Sequence, residues 1–335
     1  IKDINFPYKI FKLRKEKKKI QEKYKFDIFN LFHSSLNPAF TGLPIVVTWL
    51  GSPKTKNLLR KSVNKAMLGV MKNRKTIVIS EYLRNKLRFI KNVKIIPCGI
   101  SEEFKPLKKE KDGKFMLYVG RLEKHKAVHE LIRLSKELDF PLKIVGYGPL
   151  EEELKEYSKK ISSDKVEFLG RVSRKELVNL YRDCSFFVSA SKWEGFGLIF
   201  VEAGACGKPS IGYNRGAIPE VIRNGETGFL VENFNELKKR AEELIKNKKL
   251  REKLGDEALK FSRRFDWERV AIEYERLFEK DNDIKKIAYQ GKKVLVNGVS
   301  GFIGSNLAKE LLRRGAIVYS IDNFSYINVE LMKKK

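Results

Sequence analysis

The sequence predicts an α/β protein built from parallel, doubly wound sheets of the Rossmann-like kind. Short apolar runs recur along the chain, and stretches of helical length follow most of them. Strands that alternate with helices are typical of parallel sheets covered on both faces. The composition, 42% hydrophobic and 11% aromatic, is that of a globular chain. No apolar stretch approaches the ~18 residues of a membrane span.

Two breaks in this alternation predict three domains. Pro106 and the charged run KKEKDGK form a linker, and DNDIKK interrupts the pattern after residue 280. We therefore expect domains at 1–106, 107–280 and 281–335. The first and last of these are short for complete Rossmann units.

The first domain begins with a basic helical stretch at 9–25 and continues with buried strands. The strands are predicted in the runs DIFNLF, LPIVVTWL, TIVIS and KIIPCGI. The second domain shows the more regular alternation, with strands in FMLYVG, LKIVG, VEFLG, SFFVSA, KPSIGY and GFLV. Ser173 and Glu176 form a capping box that opens one of its helices.

The chemistry-bearing residues of the second domain follow its strands directly. In open α/β sheets, ligands bind beyond the carboxyl ends of the strands. Gly120 and Arg121 follow FMLYV, and Lys126 comes five residues after Arg121. Two cations at a strand end that opens a helix suit a diphosphate, although such cations are commonly just solvated.

The richest segment is SKWEGFGLIFVEAGACGKPS. Gly195 and Gly197 flank Phe196, so the backbone can approach a ligand at the N-terminus of the next helix. Glu194 precedes that helix and Glu202 lies within it. Carboxylates suit the vicinal hydroxyls of a sugar, but they also stabilise a helix N-terminus without binding anything.

Taken together, these motifs resemble the donor domain of a retaining GT-B glycosyltransferase of the family 4 type. The resemblance covers VGRLEKHK, IVGYGPLEEELK, VEFLGRV, SKWEGFGLIFVEAGACGKPSIGY and IPEVIRNGETGFLV. It implies two facing Rossmann-like domains and transfer of a hexose from a nucleotide diphosphate sugar to a glycan or lipid-linked acceptor. The departures are Ala127 in place of a glycine and Gly216-Ala217 in place of a double glycine.

The resemblance also implies a role for each matching residue. Arg121 and Lys126 would neutralise the donor diphosphate without a metal, and Glu194 would contact the transferred sugar. The remaining donor contacts would come from Glu202 at the ribose, from backbone around Arg171 and Val172 at the base, and from the amides of Phe196, Gly197 and Leu198 at the sugar and distal phosphate.

The first domain resembles the later part of the family's acceptor domain through LPIVVTWLGSP, VISEYLRNKL and IIPCGISEEFKP. Leu50 stands where the family commonly has a histidine, and His33 is out of register with another. The opening strands of that domain are missing from this position, so the N-terminal domain is predicted to be incomplete. Donor binding is therefore a safer expectation than transfer.

The tail resembles the start of an extended short-chain dehydrogenase of the nucleotide-sugar epimerase type. Gly298, Gly301 and Gly304 lie between a predicted strand and helix, and Asp322 ends the next strand, placed for an NAD ribose. The chain stops before that family's Tyr-x-x-x-Lys pair. We expect an inert remnant or the start of a fused neighbour, with a working NAD site as the alternative.

The positive charge is concentrated in the N-terminal third. Residues 1–115 hold 28 Lys/Arg against 9 Asp/Glu, an excess of 19 out of a net charge of +28. A solvated lysine-rich surface explains this as well as an anionic membrane surface does. Nucleic acid is not expected, because no binding motif accompanies the charge. Three widely spaced cysteines favour reduced thiols in a cytoplasmic protein. If the basic N-terminal segment binds anionic lipid, the protein is expected at the inner face of the membrane.

Three functions therefore stay open on the sequence. The first is a retaining glycosyltransferase, carried by the E-x7-E segment and the cation pair. The second is an NAD-dependent epimerase or dehydratase, carried by the tail. The third is a basic membrane-binding module without activity.

Overall fold

The computed structural model describes residues 28–32, 45–49, 75–88, 90–106, 113–161, 164–279, 291, 293–297 and 302–321. The chain groups into two compact units, one of residues 1–99 with 267–335 and one of residues 100–266. Among the described residues, no helix is long and apolar enough to cross a bilayer. The basic stretch at 9–25 is outside the described ranges.

The strands lie close to the predicted apolar runs. They are β1 Ile28–Phe32, β2 Ile45–Trp49, β3 Lys75–Val78, β4 Val93–Ile95, β5 Met116–Val119, β6 Leu142–Val145, β7 Val166–Gly170, β8 Phe186–Ser189, β9 Ser210–Tyr213, β10 Gly228–Val231, β11 Lys293–Asn297 and β12 Ile317–Ile321.

The helices alternate with these strands. They are α1 Glu81–Lys86, α2 Val128–Leu138, α3 Glu151–Lys160, α4 Arg174–Asp183, α5 Leu198–Ala205, α6 Ile218–Val221, α7 Phe234–Lys246, α8 Lys248–Ser262, α9 Trp267–Glu279 and α10 Phe302–Arg313, with one-turn 3-10 helices at Lys124–Lys126 and Arg263–Phe265. The predicted cap of α4 is present, since Ser173 Oγ accepts from the Glu176 N–H at 3.2 Å.

The unit of residues 100–266 contains a parallel sheet in the order β10-β9-β8-β5-β6-β7. The chain runs outward from β5 to β7 and then returns to place β8 on the other side of β5. The topological switch point therefore lies between β5 and β8, where doubly wound folds bind their ligands. Strands β5 and β8 are almost wholly buried, as a sheet covered on both faces requires.

The other unit contains a parallel sheet in the order β12-β11-β1-β2-β3-β4. Its two outermost strands on one side come from the C-terminal tail, with Ile28 opposite Val294 and Asn30 opposite Val296. The predicted α/β class, with parallel Rossmann-like units, is confirmed by these two sheets.

The domain boundaries differ from the predicted ones. The tail was expected to be a separate segment at 281–335, yet β11, α10 and β12 belong to the unit that holds β1–β4. Helix α9, expected within the 107–280 domain, belongs there too. The physical reason is shared burial, because one apolar cluster joins side chains of β3, α9, β11 and α10 with one residue after β4 and one before β12. Its members are Ile77, Ile96, Val270, Tyr274, Leu277, Val294, Val296, Leu307, Leu311 and Ala316.

Candidate functional site

The loops that follow β5, β6 and β7 lie directly on one another at the carboxyl edge of the sheet. The Leu122 N–H donates to the Tyr147 carbonyl at 3.0 Å. A Cβ at Gly146 would lie 1.9 Å from the Gly120 carbonyl oxygen, and one at Gly148 would lie 2.4 Å from that of Leu122. Only glycine fits at such approaches, so the G-Y-G segment is what allows the Gly120–Ala127 loop to sit at this edge.

Lys126 and Glu194 meet across the switch point. The Lys126 ammonium lies 2.6 Å from a Glu194 carboxylate oxygen, and each side chain is only 13% exposed. The His125 ring stacks on Trp193, with centroids 5.3 Å apart and planes 24° apart. The Lys192 N–H also donates to the His125 carbonyl at 2.8 Å. The loops after β5 and β8, predicted to form one site, are therefore bound together by charge, stacking and backbone.

Arg121 stands beside this pair with a different partner. Its side chain is 59% exposed and pairs with Glu123 at 2.9 Å. The Tyr118 hydroxyl donates to the Arg121 carbonyl at 3.2 Å, which holds the backbone of the loop. The structure thus brings Lys126, but not the Arg121 guanidinium, onto the Glu194 carboxylate.

The N-terminus of α5 lies next to Glu194, as predicted. Gly197 caps the helix with a φ of 95°, a left-handed conformation that favours glycine. The Phe196 side chain is buried against Phe265 with centroids 5.5 Å apart, so this residue offers only its backbone to a ligand. Leu198 begins the helix, whose first N–H groups have no intrahelical acceptor and suit an anion or a hydroxyl.

The loop after β9 holds Glu194 from the other side. The Ala217 N–H donates to the Glu194 carbonyl at 3.1 Å. Gly216 has a φ of 64°, and a Cβ there would lie 2.8 Å from the backbone nitrogen and oxygen of Glu194. The glycine at 216 is therefore required, whereas Ala217 has an ordinary φ of −92° and the departure from a double glycine costs nothing. Ala127, by contrast, has the left-handed φ of 48°.

Glu202 lies deeper, inside α5, and is 5% exposed. The Tyr181 hydroxyl donates to one carboxylate oxygen at 3.0 Å, and an Arg174 nitrogen lies 3.9 Å from the other. Arg174 also pairs with Glu103 at 3.0 Å and stacks over Phe104 at 4.3 Å. Burial raises the pKa of Glu202 to about 7, against the opposing effects of the Arg174 charge and the Tyr181 hydrogen bond.

Sequence reasoning missed Tyr181 and Arg174, which set the environment of Glu202. Neither belongs to a motif, because each reaches Glu202 across the packing of α4 on α5. A signal was present only for Arg174, which directly follows the cap residue Ser173 and so occupies a helix start at the same sheet edge.

The loop after β7 carries the residues expected at the base. The Arg171 guanidinium lies over the Tyr147 ring, 3.9 Å from its centroid, and Val172 follows it in the same loop. This is the β6–β7 side of the sheet, away from the Lys126–Glu194 pair at the β5–β8 side. The predicted base and sugar positions thus fall on opposite sides of one edge.

Several predicted residues fall elsewhere. Gly304 is buried within α10, while Gly298, Gly301 and Asp322 are not among the described residues. His33 and Leu50 are likewise outside them.

Cys98, Cys184 and Cys206 are free and buried, and burial raises the pKa of each thiol. The described residues contain no group of three or more His, Cys, Asp or Glu suited to a metal.

Residues 99–261 match the family model described as glycosyl transferases group 1. An uncharacterized glycosyltransferase of Methanocaldococcus jannaschii is 37% identical over 213 residues, covering 62% of this chain and 60% of the relative. The chain thus spans about three-fifths of the length of that relative.

Solved structures show the same fold. A sucrose-phosphate synthase from Thermosynechococcus elongatus matches with a TM-score of 0.73 at 20% identity, covering 83% of this chain and 79% of that one. HepE of Anabaena, solved in complex with UDP and glucose, matches with a TM-score of 0.70 at 18% identity, covering 78% and 80%. The fold is therefore GT-B-like, and the comparisons support neither the NAD-dependent nor the non-enzymatic alternative.

Proposed function

We propose that the chain binds a nucleotide diphosphate sugar at the carboxyl edge of the β5–β10 sheet and transfers its hexose, with retention, to a hydroxyl of a glycan or lipid-linked acceptor. The observation that carries the proposal is the Lys126–Glu194 pair at the switch point. One group suits a phosphate and the other suits sugar hydroxyls, and they lie 2.6 Å apart.

The remaining residues divide the donor between them. Lys126, Arg121 and the N-terminus of α5 neutralise the diphosphate, whose negative charge grows as its bond to the sugar breaks. Glu194 accepts hydrogen bonds from the sugar, Glu202 accepts them from the ribose, and the loop at Arg171 and Val172 meets the base. Transfer breaks the bond between the anomeric carbon and the phosphate oxygen and forms a bond from that carbon to the acceptor oxygen. The nucleoside diphosphate is the leaving group, and its oxygen takes the proton of the acceptor hydroxyl.

This assignment requires Lys126 to exchange its partner. In the structure the ammonium is neutralised by Glu194, so neither partner is an unpaired charge at this largely buried position. A bound diphosphate offers Lys126 at least as much negative charge as the Glu194 carboxylate does. Lys126 can then pair with the diphosphate, and the carboxylate becomes available to the sugar hydroxyls. The resemblance to the family 4 type implies retention, and the E-x7-E spacing of Glu194 and Glu202 supports the same outcome.

A thermal-shift screen with UDP-, GDP- and ADP-sugars tests the proposal, since a ligand that binds the folded state raises the unfolding midpoint. We expect one base to raise the midpoint and Lys126→Met to abolish the rise. Lys155→Met is the matched control, because Lys155 also pairs with glutamates but on the outer helix α3. No rise with any of the three donor classes, or equal rises in both variants, would overturn the assignment.

A membrane partner for the 9–25 stretch stays a prediction. Sedimentation with anionic vesicles, with and without that stretch, addresses it independently of donor binding.

A further inference from the structure

A carboxylate outside the predicted site, Glu130 of α2, joins two side chains from other strand ends. Its side chain is 17% exposed and forms an ion pair with the Lys192 ammonium. The Tyr213 hydroxyl donates to its second carboxylate oxygen. The Lys192 ammonium also lies over the Tyr213 ring, 4.7 Å from its centroid. The three groups thus form a closed set, which we call the Glu130 cluster.

The cluster spans three neighbouring strands. Helix α2 follows β5, Lys192 follows β8 and Tyr213 ends β9, and these strands are adjacent in the order β9-β8-β5. Burial, and next the hydrogen bond to Glu130, raise the pKa of Tyr213 above its usual value, which is consistent with its hydroxyl donating to the carboxylate. A single carboxylate therefore fixes the relative positions of three strand-end segments.

Both arms of the cluster lead to Glu194. Lys192 precedes it by two residues, and the Lys192 N–H is fixed on the His125 carbonyl at 2.8 Å. Tyr213 precedes Gly216 by three residues, and the loop of Gly216 closes on the backbone of Glu194. Glu130 thus contacts one residue on each of the two segments that fix the Glu194 backbone, Lys192 just before Glu194 and Tyr213 at the start of the Gly216 loop.

The nucleotide side of the site has separate supports. Glu202 is held by Tyr181 of α4, and Arg171 lies on Tyr147 in the loop after β6. None of the described contacts of the Glu130 cluster reaches these four residues. Losing the cluster should therefore disturb one end of a bound donor and spare the other.

We propose that Glu130, through Lys192 and Tyr213, is a positioning residue that sets the sugar end of the donor site. This inference rests on the proposed function, because it assumes that Glu194 binds the transferred sugar. The bland alternative is a structural ion pair that only stabilises the fold, and the two differ in which ligand they affect.

The test compares UDP-glucose with UDP by titration calorimetry, in the wild type and in Glu130→Gln. The amide keeps an acceptor for Tyr213 and removes the charge that holds Lys192. We expect UDP-glucose to bind about tenfold more weakly while the affinity for UDP stays within about twofold, as the loss of one coupled contact predicts. GDP-mannose with GDP, or ADP-glucose with ADP, replaces the pair if the screen selects another base.

The matched control is Glu137→Gln on the same helix. Glu137 also pairs with two cations, Arg133 at 2.7 Å and Lys238 at 2.8 Å, but it lies at the far end of α2. This control should leave both affinities unchanged. Equal weakening of both ligands in Glu130→Gln, or no weakening of either, would overturn the positioning role.

Two further variants guard against a general loss of structure. Lys192→Arg keeps the charge and should retain the sugar preference, whereas Lys192→Met should lose it with an unaltered unfolding midpoint. If the wild type binds none of the nucleotides or nucleotide sugars, the proposed function fails. If it binds both members of a pair equally well, the inference alone fails, because no sugar contact exists for Glu130 to position.

Discussion

The two units reach the same kind of sheet by different routes along the chain. The unit of residues 100–266 is continuous, and each of its strands pairs with neighbours drawn from within those residues. The other unit takes β1–β4 from the N-terminal part and β11–β12 from the tail. Because the first unit is continuous, its strands can be predicted from local sequence patterns. The sheet of the second unit depends on contacts between segments at opposite ends of the chain.

That difference explains the position of the tail. Strand β1 would be an open edge without β11, and open edges of buried parallel sheets are unfavourable. The tail covers this edge with a strand, a helix and a second strand, all of which contain apolar residues. A strand, helix and strand in succession can extend a Rossmann-like sheet because such sheets are built from βαβ units.

The sharpest way to break the comparison is to remove a core side chain that only the tail contributes. Leu307 of α10 is 2% exposed and packs in the cluster with α9 and β3. Leu307→Ala should lower the free energy of unfolding of this unit by about 2–5 kcal/mol. Leu312, on the same helix, is 53% exposed, so Leu312→Ala should change it by less than about 0.5 kcal/mol.

Hydrogen exchange resolved by segment is the appropriate measurement, because it reports each unit separately. Protection of β3 should fall in Leu307→Ala while protection of β5 is unchanged. Full protection of β3 in that variant would mean that the tail does not belong to the core of this unit.

How much could be predicted from the sequence follows the same division. Runs of apolar residues predict strands β5 to β10. Charged residues and glycines follow these runs closely, which predicts that Lys126 and Glu194 lie at the same edge of the sheet. The pairing of β1 with β11 could not be predicted, because register between segments about 265 residues apart leaves no local trace. The roles of Tyr181 and Glu130 could not be predicted for a related reason, since their hydrogen-bond partners lie on other elements.

The continuous unit also contains a buried acid, Glu202, which is 5% exposed. The pKa of Glu202 is raised by burial from 4.5 to about 7, so the folded state holds its proton longer than the unfolded state does. Folding stability is therefore unaffected by this group at low pH and falls as the pH rises from about 4.5 to about 7. Glu202→Gln removes that fall and keeps an acceptor for Tyr181.

Relative to the wild type, Glu202→Gln should gain on the order of 3 kcal/mol between about pH 4 and about pH 8, as a shift of this size implies. Urea unfolding at the two pH values measures the difference. Glu137→Gln is the control of opposite sign, because the hydrogen bond from Lys238 lowers the pKa of Glu137 and its contribution is present at high pH. A gain for Glu202→Gln that does not vary with pH would show that Glu202 is not a buried acid.

The smallest expected effect concerns backbone strain next to the site. Ala127 links the 3-10 turn of Lys126 to α2 and has a φ of 48° and a ψ of 41°, which an alanine adopts at a cost. Ala127→Gly should relieve that strain and raise the free energy of unfolding by up to about 1 kcal/mol, the strain relieved less the added freedom of the unfolded chain.

The matched comparison is Ala241→Gly, within the regular helix α7, where the same chemical change should lower the free energy of unfolding by about 1 kcal/mol. Opposite signs for two Ala→Gly changes, measured by urea unfolding, would isolate the left-handed backbone as the cause. Both alanines are buried, so each change also removes a core methyl group. If Ala127→Gly loses as much stability as Ala241→Gly, Ala127 is not strained.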